Sequence, residues 1–330
     1  MKMTINELLK EIYEINYPHL GPSSESKGLV KDLWGEWEKT GKIRPDIDNI
    51  AKYNSIIEYE RAYFQEIVSI AFDITNISKN TLRIEQAPFI LNSYNLCASR
   101  ALDGYLVIVD ETFFKMLFSL TNILMYSAYN FIEDVEEEKF KSLTKRLLNE
   151  YIEQKFFTPF DSKGTPEIRY LLGKDYDTAE FAIYLFNSFK TFMLAHEIGH
   201  CLLKHADSTI EKSFRGETKE VTIDIDKRSY ECEFEADIFG YNLFKRVMDT
   251  TDDSIDKAYL KYRFDFAPLF LFDIFEQIDK LIKKNNYSQT DSITHPSPQK
   301  RKNNLIHHFQ LKEDDLLYSN LRSVLNDLIK

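Results

Sequence analysis

The segment His196-Glu197-Ile198-Gly199-His200 constrains this chain more than any other. Two histidines four residues apart, the first followed by a glutamate, form the H-E-x-x-H pattern. Upstream, Phe181, Tyr184, Leu185, Phe189, Phe192 and Met193 recur at helix-face spacing, so the motif belongs on a helix. Positions i and i+4 of an α-helix lie about 6 Å apart along the axis and about 40° apart around it. Both imidazoles therefore leave one face and can bind one metal ion. Glu197, about 100° around from His196, points off that direction but stays within reach of a water held there. Neutral imidazole suits Zn2+, which lowers the pKa of its water to about 7, and a carboxylate beside that water can take its proton. The simpler reading is a helix with two core-lining or surface histidines, and a third ligand is what separates the two.

A third histidine does not supply it. In the pattern H-E-x-x-H-x-x-G-x-x-H the glycine position is Leu203 here and the last histidine position is Ala206. His205 falls one residue early. On a helix predicted over 178–205 it faces away from His200 and reads as a surface histidine. Carboxylates are the other source. Glu231-Cys232-Glu233-Phe234-Glu235-Ala236-Asp237 opens a helix that runs to about 248. Glu233 and Asp237 lie four apart on one face, over the small Ala236. One can bind metal while the other accepts the free N–H of a ligating histidine, which fixes its tautomer. Acidic residues also favour a helix N-terminus, and spacing alone leaves Glu231 and Glu235 open as the ligand. Cys201 and Cys232 sit near these motifs but are rotated off the ligand face, and read as core filler.

Composition bounds the rest. The chain has 330 residues, 43% hydrophobic and 29% charged, enough for one large domain or two small ones with a real core. Its net charge of -11 argues against a nucleic-acid partner and against anionic membranes. Three cysteines make no disulfide framework and fit a reducing compartment. The first ten residues carry charges and lack an apolar signal core. The longest apolar run, 264–275, is broken by Asp265 and Asp273 and is too short to span a bilayer. The expectation is a cytoplasmic protein with no membrane span.

Along the chain, 1–80 reads as an N-terminal helical section. Its helices lie at 4–16, capped by Thr4, at 29–39 with Trp34 and Trp37, and at 46–77. From 81 to 330 the texture differs. Segments 88–91 and 94–98 read as extended, Leu102-Asp103-Gly104 as a turn, and Tyr105–Val109 as a strand. Asp110 then caps a helix to about 131. This is the one clear β signal. The acidic run 133–138 reads as a solvated junction, 140–157 as helix and 158–175 as loop. In the polar stretch 208–229, the alternation over 221–225 fits strand or loop. A helix over 254–284 is expected to bend at Pro268, 285–300 reads as loop, and 312–329 closes as helix.

His196-Glu-Ile-Gly-His200, followed by Glu233-Phe-Glu-Ala-Asp237, resembles the gluzincin metallopeptidases. The likeness is to the clan of the CaaX prenyl endopeptidases, whose second motif has a glutamate ligand four residues before an aspartate in Ala-Asp. Thr294-His295-Pro296-Ser297-Pro298, with Arg301 after it, is similar to a Thr-His-Pro segment of that clan and of the soluble Lit-type phage-exclusion peptidases. The resemblance spans about 85–310 and omits the N-terminal helices. With no transmembrane helix, the chain matches the soluble relatives in size and compartment. The resemblance implies Zn2+ held by His196, His200 and Glu233. It makes Glu197 the general base and acid, puts Asp237 behind a ligand, and places His295 near the oxyanion. Arg301 on its own reads as one of a solvated basic cluster, Lys300-Arg301-Lys302.

The fold expected is α+β and predominantly helical: a zincin-like core with a small edge sheet and the motif on its active-site helix, over 81–330. The activity expected is hydrolysis of a protein or peptide substrate. Segment 94–98 or 105–109 would hold that substrate as an added strand. A host-defence or toxin-like protease is one version. A zinc-containing regulator that acts only by binding is the alternative, and retention of Glu197 speaks against it.

Overall fold

The computed structural model describes residues 3–9, 56–79, 81–89, 96–129, 134–152, 176–207, 209–215, 220–226, 229–250, 264–284 and 296–329. The elements in chain order are α1 (Ile56–Thr75), β1 (Arg83–Phe89), β2 (Cys97–Ala101), β3 (Gly104–Asp110), α2 (Glu111–Tyr129) and α3 (Asp134–Ile152). Then come α4 (Tyr176–Leu202), β4 (Thr209–Arg215), β5 (Glu220–Asp226), α5 (Tyr230–Thr250), α6 (Ala267–Lys284), α7 (Pro298–Phe309) and α8 (Leu316–Ile329). The class is α+β and predominantly helical, as expected.

The motif helix α4 is the axis of the molecule. Every residue from 188 to 201 is buried. A helix apolar on all sides is one that other helices surround. Phe192 meets Phe244 of α5 and Phe272 of α6 edge-on, with centroids 6.5 and 5.9 Å away, and Phe189 meets Phe270 of α6 at 6.0 Å. Helix α1 joins through charge. Lys190 is buried in α4, its Nζ 2.8 and 2.9 Å from the Glu60 carboxylate oxygens and 4.8 Å above the Tyr63 ring. The Tyr63 and Thr191 hydroxyls share a hydrogen bond. The pairing offsets the desolvation that a buried ammonium would otherwise incur.

The three-stranded sheet has the order β1-β3-β2, with β1 parallel and β2 antiparallel to β3. Strand β3 is buried along its whole length. One face, with Tyr105, Val107 and Val109, joins the main core. The other, with Leu106 and Ile108, is covered by Ile5 and Leu8. Burial on both faces explains why 105–109 is a continuous apolar run rather than an alternating one. The Asp103-Gly104 turn has a steric cause. Gly104 has φ 155, and a Cβ there would stand 2.1 Å from the Arg83 carbonyl oxygen. Asp103 accepts from the Ile5 N–H at 2.7 Å, which pins the N-terminal turn. Thr4 and Glu7 cap that turn reciprocally, and the Asp110 carboxylate caps α2 by accepting from the Thr112 N–H at 3.1 Å.

Several expectations are corrected. Strand β3 is paired on both sides, so 105–109 offers no open edge to a substrate. A second, two-stranded sheet of β4 and β5 exists, and the alternation over 221–225 is one of its strands. Its register sets Ile210 against Ile225, Lys212 against Ile223 and Phe214 against Val221, so the period-two signal is regular in β5 and broken at Lys212 in β4. Asp134–Glu138 forms the first turns of α3 rather than a junction, which suits the positive end of a helix. Pro268 does not bend a helix. It sits in the first turn of α6, where its missing N–H costs nothing. Helix α7 was not anticipated, although Ser297 caps it by accepting from the Lys300 N–H and Pro298 takes the first position. Among the described residues no helix is long and apolar enough to cross a membrane.

Candidate metal centre

Two glycines let the second motif reach the first. A Cβ on Gly240 of α5 would lie 3.0 Å from both the backbone nitrogen and Cα of His196. One on Gly199 of α4 would lie 3.0 Å from Cδ1 of Phe239. Without those methyl groups α4 and α5 cross in contact, and the first turns of α5 come down beside the histidines.

The Nε2 atoms of His196 and His200 face each other at 3.1 Å. Glu233 sets one carboxylate oxygen 3.5 Å from Nε2 of His200 and the other 3.7 Å from Nε2 of His196. All three side chains are buried, and the group can hold a metal ion. Ligands at about 2.0–2.1 Å from a tetrahedral zinc stand about 3.3 Å apart, so these separations are of the right size. Glu231 and Glu235 are exposed; of the three candidates only Glu233 joins the histidines. Glu197 is 1% exposed, its Oε1 4.0 Å from Nε2 of His196. No cysteine belongs to the group.

Behind the histidines lie charges. Oδ1 of Asp237 is 3.0 Å from Nδ1 of His196, on the ring edge opposite Nε2. Arg301 of α7 holds Asp237 with two bonds, Nε–H to Oδ2 at 2.9 Å and the second amino group to Oδ1 at 2.6 Å. Its other amino group is 3.1 Å from Oε2 of Glu233, and the guanidinium lies 5.0 Å over the Phe272 ring. Burial pushes the His196 pKa down, and the Arg301 charge pushes it further, against the opposing pull of Asp237. The ring is neutral near pH 7, the form that binds metal. Burial alone would raise the Asp237 carboxyl; Arg301 and His196 outweigh it and hold it below the usual carboxylate range. Formally, three buried carboxylates, Glu197, Glu233 and Asp237, gather around the histidines with one guanidinium, which faces Glu233 and Asp237. A divalent cation would neutralise the difference, and uncompensated buried charge is costly. The donor set therefore fits Zn2+ on spacing, ligand type and charge.

The sequence model of the family Peptidase U49 matches residues 121–321. The chain belongs to the Peptidase U49 family. No curated protein and no solved structure matches it. The match takes in the motif helix, α5 and α7, so the whole buried group lies inside the region that makes this chain a U49 peptidase.

Two expectations for this U49 peptidase are overturned at the site. His205 is not a surface histidine turned away from His200. Helix α4 ends at Leu202, Lys204 takes φ 62, and the chain folds back through a 3-10 turn, His205–Asp207. Nδ1 of His205 then lies 3.1 Å from Nδ1 of His200, and Nε2 lies 3.0 Å from Oε2 of Glu235. Arg301 and Lys302 are not a solvated cluster. Arg301 is drawn in by the two carboxylates, and Lys302 is 1% exposed, bonded to Asp273 and Tyr318. His295 and Thr294 lie outside the described residues.

Proposed function

We propose that this U49 peptidase is a zinc-dependent endopeptidase of the gluzincin type, similar to the soluble Lit-type peptidases. The observation that carries the reading is the buried convergence of His196, His200 and Glu233 with a fourth buried side chain, Glu197, beside it. Bound by His196, His200 and Glu233, Zn2+ would supply Lewis-acid polarisation of the scissile carbonyl and a lowered pKa for the attacking water. The residues of the chain do the rest. Glu197 takes one proton from the water as its oxygen bonds to the carbonyl carbon. It then delivers that proton to the amine as the C–N bond breaks. Asp237 accepts the Nδ1–H of His196 and so fixes the tautomer that leaves Nε2 free to ligate. His295, on the strength of the Thr-His-Pro likeness, is our candidate donor to the oxyanion. Strand β2 is the outer strand of its sheet, with β5 packed nearby, and its outer edge is the candidate for pairing with an extended protein substrate.

The test is Glu197→Gln. Glutamine keeps size and hydrogen bonding but cannot take the proton. We expect zinc content and melting temperature to stay as in wild type while proteolysis falls at least about 100-fold. Comparison of new protein N-termini in cells making either form would name the substrate. A variant that holds zinc and still produces the full set of cleavages would defeat the general-base assignment. One that keeps the cellular effect with no cleavage in either form would establish the zinc-containing binding protein instead.

A further inference from the structure

We propose that His205 and Glu235 form a positioning relay that sets the tautomer and ring orientation of His200, as Asp237 does for His196. The proposal rests on the zinc-peptidase reading and extends it to two residues outside the motif pair.

The protonation pattern follows from where the ring nitrogens stand. Nε2 of His200 faces Nε2 of His196 and Glu233, so it must carry a lone pair if it is to ligate. A neutral imidazole then has its proton on Nδ1. The atom 3.1 Å from that Nδ1 is Nδ1 of His205, which can accept only if its own proton is on Nε2. Nε2 of His205 lies 3.0 Å from Oε2 of Glu235, and a carboxylate accepts that proton. Each donor has an acceptor, and only one arrangement of protons satisfies all three groups while leaving the ligating lone pair free. Reversing either ring would set two N–H groups or two lone pairs against each other.

The placement is built by the fold. The His205 side chain is 9% exposed, held where the left-handed residue Lys204 turns the chain. The same 3-10 turn is tied to the sheet: the Tyr105 hydroxyl donates to Oδ1 of Asp207 at 2.6 Å, and Arg100 stacks on the Tyr105 ring at 4.5 Å. The two histidines thus receive different supports. His196 has a buried carboxylate locked by Arg301. His200 has an imidazole that hands on to a carboxylate at the surface. Groups of this kind typically change metal affinity 10- to 100-fold when removed.

The experiment compares wild type, His205→Ala, His205→Gln and Glu235→Gln by zinc competition with a chromophoric chelator. Urea unfolding of the metal-free proteins runs beside it. His205→Ala should bind zinc about 10- to 100-fold more weakly, with Glu235→Gln shifted the same way by less. His205→Gln should recover most of the affinity, because its amide oxygen can accept from Nδ1 of His200 while its amide nitrogen donates to Glu235. Proton and nitrogen-15 spectra of the zinc-loaded protein should show a slowly exchanging His200 Nδ1–H in wild type and in His205→Gln, and a rapidly exchanging one in His205→Ala. Unchanged zinc affinity in His205→Ala would overturn the relay while leaving the zinc reading intact. Equal losses in the alanine and glutamine variants, matched by equal losses of metal-free stability, would reduce His205 to packing. Failure of the wild type itself to bind zinc would overturn the reading on which the relay rests.

Discussion

At the scale of single residues, Glu233 is held by what surrounds it. Its carboxylate lies between two imidazoles and a guanidinium, with no solvent exposure. An incomplete tetrahedron binds zinc poorly, so His196→Ala, His200→Ala and Glu233→Ala should each lose most of the metal, read by elemental analysis of the purified protein. Full zinc in Glu233→Ala would hand the third position to Glu231 or Glu235. Asp237→Asn is a subtler change. It keeps the shape but weakens the acceptor for His196 and leaves Arg301 with one formal charge to satisfy instead of two. We expect zinc affinity to fall about 10- to 100-fold in chelator competition. A value equal to wild type would make Asp237 a structural partner of Arg301 alone. These carboxylates were legible in the sequence as a set because their spacing lies within one helix. Their spacing did not say which of Glu231, Glu233 and Glu235 turns inward, since that depends on how α5 is rotated against α4; the metallopeptidase resemblance pointed to Glu233. His205 was legible only as a failed third histidine. Its position depends on one left-handed residue, Lys204, which no periodicity announces.

At the scale of elements, the α4–α5 crossing decides whether the site exists. Gly240 has little room for a side chain, because the atoms a Cβ would meet at 3.0 Å are backbone atoms of His196, which yield less easily than a side-chain end. Alanine in a helix interior gains about 1 kcal/mol over glycine by propensity. Forcing extra bulk against a packed neighbour costs about 1–3 kcal/mol. Gly240→Ala should therefore come out between neutral and about 2 kcal/mol destabilised in urea unfolding. Gly240→Val, with more bulk and less propensity, should fall clearly below it and lose zinc as the helices part. A Gly240→Val protein with wild-type stability and metal content would refute the close crossing. The sequence showed α4 through the apolar spacing upstream of its histidines, and placed α5 by the acidic segment that opens it. It hid α7, because that helix follows Thr-His-Pro-Ser-Pro, where turn-forming residues dominate, and only the Ser297-Pro298 start marks it. With α7 unseen, Arg301 was legible only as the arginine after Thr-His-Pro or as one of a solvated cluster, not as the residue that ties the two inner carboxylates together.

At the scale of the whole molecule, the site is an intersection of four helices, and a separate buried cluster holds three of the surrounding elements in place. Lys302, next to Arg301 on α7, reaches Asp273 of α6 at 3.0 Å and Glu313, before α8, at 2.6 Å. Tyr318 of α8 donates to Asp273 at 2.6 Å. Burial alone would raise the Glu313 carboxyl; the hydrogen bond and charge of the Lys302 ammonium beside it outweigh that and lower its pKa. A carboxyl lowered on folding adds stability above its unfolded pKa, and that contribution is lost as pH falls through the folded value. Acid should therefore loosen this corner. Removing the cation tests the arrangement more directly. Lys302→Met leaves Asp273, 4% exposed, with Arg322 at 3.8 Å as its remaining cation, so the loss should fall at the low end of the roughly 3–5 kcal/mol that breaking a buried pair from one side costs. Replacing both partners with apolar groups of similar size is often close to neutral, so Lys302→Met with Asp273→Leu should regain most of that loss. Zinc affinity gives the second reading. If the cluster seats α7, the single variant should weaken metal binding through Arg301 and the double variant should restore it. A single variant that unfolds at the wild-type urea midpoint, or a double variant worse than the single, would show that Lys302 is not what anchors α7 to the catalytic core.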